Sequence, residues 1–283
     1  MAELLAPFEY QYMVKAIVLS ALVGGACAFL SAYLMMKGWS LIGDALGHSV
    51  VPGVAGAYML KVPYAAGAFF AGLLAALGMW FVENRTRLRQ DTIIGLVFTS
   101  FFALGLLMVS LNPMAVDVQT IVLGNILAIS DEDAIQVVII AVVTLAVMLF
   151  KWKDLMLVFF DEAHAATVGL NPMRLKVMFF TLTAAMTIAA LQTVGACLVI
   201  AMVVTPGATA YLLADRFDRL LVIAVALGVV TGGVGAYVSY FLDGATGGVI
   251  VTMQTFIFLA TFVLAPKHGI LAARRKRQQE ALP

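Results

Sequence analysis

Val177 to Ala214, VMFFTLTAAMTIAALQTVGACLVIAMVVTPGATAYLLA, runs without a single Lys, Arg, Asp, Glu or His. As one helix it would be about 57 Å long at about 1.5 Å per residue, nearly twice the ~30 Å hydrocarbon core of a bilayer. The run is therefore read as two membrane spans, 176–192 and 195–213, with a turn near Gln192-Thr193-Val194-Gly195. Pro206-Gly207 should then break or kink the second. The same ruler, the distance between charges, marks six further spans: Lys15 to Lys37, Lys61 to Glu83, Asp91 to Asp117, Asp133 to Lys151, Arg219 to Asp243 and Asp243 to Lys267. Ser40 to Leu60 has the right length for another, although Asp44 and His48 lie inside it. The expected total is nine.

Composition agrees with a membrane solvent. Of the 283 residues, 63% are hydrophobic and 12% charged, too few charges to clothe a soluble fold of this size. Mean hydropathy is +1.03. The fold class expected is an all-α polytopic bundle, one membrane domain over 1–283, with an amphipathic cytosolic stretch at about 154–176 and a basic cytosolic tail at 267–283. A net charge of +1 offers nothing to nucleic acid, and Arg274-Arg275-Lys276-Arg277 reads as a membrane-flanking anchor. Cys27 and Cys197 stand far apart in apolar runs, as small buried hydrophobes do. Threading nine spans with the carboxyl end inside places Lys37, Arg85, Arg87, Arg89, Lys151, Lys153, Arg174, Lys176, Arg216, Arg219 and the tail on the cytoplasmic face. Only Lys15 and Lys61 fall outside, which fixes the orientation by the positive-inside rule, with the amino terminus outside.

An ionisable group within a span costs about 2.5–3.5 kcal/mol on insertion scales, so Asp44 and His48 require an explanation. At i and i+4 they share one helix face and can serve one object. Carboxylate and imidazole suit Mn²⁺, Fe²⁺ or Zn²⁺. Two ligands do not fill a shell, so a second copy across a dimer interface, or water, would have to complete it. The other open reading is structural, Asp44 being solvated at the span's end or neutralised by His48 or Lys37. Further on, Asp161 to Leu170 reads as a short amphipathic helix with Asp161 and Glu162 at its amino end and Gly169 closing it. It could dock a partner or lie on the bilayer surface. The chain has no Gly-x-x-x-x-Gly-Lys-Ser/Thr phosphate loop, no His-Glu-x-x-His and no Gly-x-Ser-x-Gly elbow. These absences disfavour an enzyme and fit a transport subunit without its own ATPase motif.

Three blocks resemble a known family. Ser40-Leu-Ile-Gly-Asp44-Ala-Leu-Gly-His48-Ser-Val-Val-Pro52-Gly53-Val-Ala55, Phe160-Asp161-Glu162-x-His164-Ala165-x-x-x-Gly169-Leu170, and Val194 to Ala210 with its Thr205-Pro206-Gly207 are similar to the permease subunits of bacterial ABC importers for manganese, iron and zinc. Gly47 departs from that pattern, standing where many relatives carry Ser or Ala. The resemblance implies a permease of the bacterial inner membrane paired with a second copy or a paralogue. Its implied partners are a cytosolic ABC ATPase and an extracytoplasmic metal-binding protein. It implies a metal site at Asp44 and His48, an ATPase-coupling helix carrying Asp161, Glu162, His164, Ala165 and Gly169, and pathway breaks at Pro52-Gly53 and Pro206-Gly207. The divalent ion would be cargo, with no resident cofactor. The variants at Ser40 to Asp44 and Val50 to Gly53 look more like manganese or iron permeases than zinc ones. A proton-driven metal carrier and a membrane metalloenzyme are the rival classes, and each would have to use the same Asp-His pair.

Overall fold

From Val23 to Leu34 every residue of one helix is buried, a full twelve-residue stretch with no solvent or lipid face. A helix hidden all round belongs at the centre of a bundle. In the computed structural model this is helix α2, Gln11–Lys37, preceded by the short α1, Ala2–Glu9. The structure describes residues 2–39, 42–62, 64–111, 126–265 and 269. The remaining helices are α3 (Ile42–Leu60), α4 (Tyr64–Arg85), α5 (Gln90–Leu111), α6 (Asp131–Phe160), α7 (Glu162–Thr167), α8 (Pro172–Val194), α9 (Ala196–Leu213), α10 (Phe217–Leu242) and α11 (Thr246–Leu264). The described residues contain no strand. Helices α6, α8, α9 and α10 pack around α2, while α3 forms a second group with α4 and α5 that meets the first through α8 and α9.

Among the described residues seven helices are long and apolar enough to cross a membrane: α2, α4, α5, α6, α8, α10 and α11. The other two expected spans, 40–60 and 195–213, appear as the helices α3 and α9, residues 40 and 41 lying outside the described residues. Contacts between side chains give the directions. Lys15 meets Asp131 and Tyr33 meets Trp152, so α6 runs with α2. Gly24 faces Gly228 and Ser20 faces Gly232, so α10 runs against it. Gln254 bonds Thr231, and Ser239 meets Thr246, which turns α11 back along α2. Helix α8 starts beside the end of α2, with Phe179 against Tyr33, whereas α9 carries Met202 beside Gly24 and Gly207 beside Ser31. The chain therefore reverses between α8 and α9.

That reversal takes one residue. Gly195 has φ 88° and ψ 160°, a region open to glycine alone, and caps α8 by donating its N–H to Leu191 O. The 177–214 run is thus a hairpin, with no loop beyond this glycine. Two boundaries differ from the charge-based spans. Helix α2 already includes Lys15, whose ammonium lies 2.7 Å from Asp131 and 3.1 Å from Ile129 O. Helix α6 continues past Lys151 and Lys153 to Phe160, and its 30 residues extend about 45 Å, beyond the ~30 Å core. Its backbone bonds need no lipid to persist, so charge marks where the core ends and not where the helix ends.

Lipid tails are as apolar as leucine, so helices in a membrane associate through close packing. Two crossings use paired glycines. A methyl group on Gly24 would collide with the Gly228 carbonyl, and one on Gly228 with that of Gly24; Gly53 of α3 and Gly67 of α4 stand in the same relation. Gly24→Val and Gly53→Val should each cost about 1–3 kcal/mol or more through overpacking. Gly95, with nothing within 4 Å of its added methyl, should accept alanine with a gain of up to about 1 kcal/mol. Thermal unfolding in detergent checks the contrast.

Candidate functional site

Helix α3 places Asp44 one turn before His48 on the same face. The side chain of Asp44 lies outside the described residues. His48 is half-buried, with its ring edge-on to Phe98 and Phe102 of α5 at centroid distances of 5.4 and 5.5 Å. Those two rings stack on each other 5.9 Å apart. The aromatic pair fixes the plane of the imidazole. One residue earlier, Gly47 turns to α8, where a Cβ would lie 3.9 Å from Thr187 Cγ2. Ser49 is buried and donates its hydroxyl to Ala45 O. Among the described residues no three His, Cys, Asp or Glu come together. The arrangement offers one directed imidazole and one carboxylate position per chain.

Pro52 and Pro206 both lie inside helices that continue on either side. Pro52 packs against Gly105 of α5, and Gly53 meets Gly67 backbone to backbone. At Pro206 a side chain from α2 enters the helix. Ser31 Oγ accepts from Gly207 N–H at 3.0 Å and donates to Val204 O at 3.1 Å. A proline removes one donor and pushes aside the carbonyl four residues back, so a hydroxyl beside it keeps neighbouring backbone groups paired. Sequence reading found the Pro206-Gly207 break and missed the serine 176 positions from Gly207.

The 161–170 segment forms α7 as its end signals indicate. Asp161 is the N-cap, accepting from His164 N–H at 2.9 Å. Ala165 is fully buried in the core. Gly169 has φ 84° and donates to Ala166 O, while Leu170 N–H reaches Ala165 O, so the helix closes on a left-handed residue. Glu162 meets Lys176 of α8 at 2.5 Å and Lys37 of α2 at 3.9 Å. These ion pairs tie the segment to two core helices and leave His164, Val168 and Phe160 exposed. Arg85, Arg87, Arg89 and Arg216 are exposed as well.

Residues 9–265 match the ABC 3 transport family. The chain belongs to that family. Its relatives include the chelated iron transport system membrane protein YfeC of Yersinia pestis, 68% identical over 96% of this chain and 92% of that protein. The manganese transport system membrane protein MntB of Synechocystis sp. is 48% identical over 97% of this chain and 90% of its own. A solved structure, PsaBC from Streptococcus pneumoniae in complex with Fab, superposes with a TM-score of 0.84 at 30% identity, covering 96% of this chain and 99% of that one. This ABC 3 protein is accordingly a multi-pass membrane protein of the bacterial inner membrane. The α3 pair and the α7 segment both lie within the family match.

Two substitutions test how α7 is held. Asp161→Ala should cost about 1 kcal/mol by removing the cap, and Gly169→Ala about 1–2 kcal/mol by placing a Cβ in the left-handed region. Hydrogen exchange at residues 162–170 should accelerate in both while the core helices stay protected.

Proposed function

We propose that this chain is the permease subunit of an ATP-driven importer of a divalent metal, manganese or iron. The match along nearly its whole length to iron and manganese transport membrane proteins carries the reading. The site chemistry fits it. A carboxylate offsets the cation's charge and an imidazole gives a directional nitrogen, while a shell left incomplete lets the ion go on. Two copies of the chain, or one copy with a paralogue, would bring four ligands to a shared path, with water filling the rest. The ion is cargo and no resident cofactor is invoked. Manganese and iron are preferred to zinc because YfeC, at 68% identity, is named for chelated iron and MntB, at 48%, for manganese. Zinc binds nitrogen and oxygen ligands more tightly than manganese, so selection would come from geometry and from the extracytoplasmic binding protein that delivers the ion.

With no phosphate-binding loop in the chain, ATP hydrolysis belongs to a cytosolic partner. The α7 segment, tied to α2 and α8 and exposing Val168 and Phe160, is the surface offered to that ATPase. The nine long helices among the described residues are taken as spans, a reading supported by the alternating directions of α8, α9, α10 and α11, and the single permease domain ends in the basic cytosolic tail at 267–283. The amino terminus is then outside. The Arg85–Arg89 turn, the α7 segment and the 214–216 turn are cytosolic. Pro52-Gly53 and Pro206-Gly207 line the path at the levels where α3 and α9 lose a backbone donor.

Uptake of radioactive Mn²⁺ and Fe²⁺ into vesicles holding the complete transporter tests the central claim. Asp44→Ala and His48→Ala should each lower uptake at least tenfold while the ATPase still assembles. Wild-type rates in both would remove the pair from the pathway. Gly169→Pro should uncouple ATP hydrolysis from uptake. For topology, single cysteines at Thr86 and Gly244, in a background with Cys27 and Cys197 replaced by serine, should label from the cytoplasm and from outside respectively. Labelling from one side would break the nine-span order.

A further inference from the structure

Most threonines of this bundle with a recorded bond satisfy themselves; among the described residues the buried hydroxyls of Thr144 in α6 and Thr187 in α8 do not. Thr181 and Thr183 of α8 donate to the carbonyls four residues back, Val177 O and Phe179 O, each at 2.8 Å. Thr99, Thr209, Thr231 and Thr255 do the same in α5, α9, α10 and α11. A helix always offers that carbonyl, so a buried threonine has a partner one turn away. Thr187, in the same helix as Thr181 and Thr183, is 1% exposed, and its hydroxyl has no hydrogen-bond partner. An unpaired hydroxyl in a dry interior is a cost that valine, of the same shape, would avoid.

Its location gives that cost a purpose. Thr187 Cγ2 lies 3.9 Å from where Gly47 would carry a Cβ, so α8 faces α3 one residue from His48 and three from Asp44. At about 100° per residue, Gly47, Asp44 and His48 fall on one arc of about 100°, with the Cα of Asp44 between the other two. One end of that arc meets α8 at Thr187, and the other meets α5 at Phe98 and Phe102. Gly47 supplies no side chain at this seam, and the Thr187 methyl is what lies nearest to it.

We infer that the Thr187 hydroxyl is an oxygen donor for the transported divalent cation, entering its coordination shell at the seam between α3 and α8 as the ion passes Asp44 and His48. The inference rests on the metal-permease reading above. It adds a third donor position per chain, on a different helix from the other two. A neutral hydroxyl oxygen is a hard ligand, suited to Mn²⁺ and Fe²⁺ and without appeal to softer, thiolate-seeking ions. In this conformation α3 and α8 are in contact and the hydroxyl is sealed. It becomes available when the two helices part, so the donor is present only while the path is open.

The complete transporter in vesicles provides the test, with wild type, Thr187→Val, Thr187→Ser and Asp44→Ala compared for Mn²⁺ uptake and for thermal unfolding of the same preparations. Thr187→Val should unfold at the same temperature as wild type or above it, yet need about tenfold more Mn²⁺ for half-maximal uptake. Thr187→Ser, which keeps the oxygen, should stay within about twofold of wild type. Wild-type half-saturation in Thr187→Val overturns the inference, as does equal loss in the valine and serine variants with lowered unfolding temperatures, which would mark a packing role. If Asp44→Ala abolishes uptake while Thr187→Val is normal, only this inference falls. If wild type carries neither Mn²⁺ nor Fe²⁺, the metal-permease reading falls and takes the inference with it.

Discussion

The bundle depends on how closely α2 can be approached. With no water to expel between helices, what binds them is contact area and the few polar bonds that cross between them. Helix α2 meets this demand with small residues, from Ser20 through Gly24, Gly25, Ala26 and Ala28 to Ser31, which let α9 and α10 come to backbone distance. Its aromatic end does the opposite work. Tyr33 reaches Trp152 O of α6 and packs on Phe159, Phe179 and Phe217, gathering α6, α8 and α10 around one ring at the end where α7 begins. The candidate site on α3 is positioned indirectly, through α8 and α9, which touch both α2 and α3.

Much of this was legible from charge spacing. Seven of the nine expected spans overlap a helix long and apolar enough to cross a membrane, because the interval between charges measures the thickness of the solvent; the other two overlap the helices α3 and α9. Gly195 was readable for a related reason: a run twice as long as the core must turn, and the polar Gln192-Thr193 beside a glycine marks where. Helix ends were less legible. Lys15 and Lys151 looked like boundaries, yet both lie within helices, since a long cationic side chain can leave the apolar layer while its backbone stays. The partner that makes Lys15 tolerable, Asp131, is 116 residues away.

The candidate site divides in the same manner. Asp44 and His48 stand out because ionisable groups are rare in spans and their spacing is helical. Asp161 and Gly169 stand out as the two ends of a short helix. Ser31 and Thr187 carry no such mark. Hydroxyl residues are common in these helices; Ser31 is set apart by its bonds into α9, and Thr187, unpaired like Ser20 and Thr144, by lying against Gly47 of α3. Both facts belong to packing across the chain. The same holds for Glu162, whose place between Lys37 and Lys176 follows from α2 and α8 ending side by side.

The paired glycines have a mechanical consequence. Where Gly24 meets Gly228 and Gly53 meets Gly67, backbone rests on backbone with no side chain interlocked at the point of contact. Turning either helix about its own axis would drive a neighbouring side chain into the opposite carbonyl. Changing the angle between the two helices moves only their ends. Each crossing is a fulcrum, one in the group around α2 and one in the group around α3, and the soft deformation of this fold is a scissoring of rigid helices about these two points.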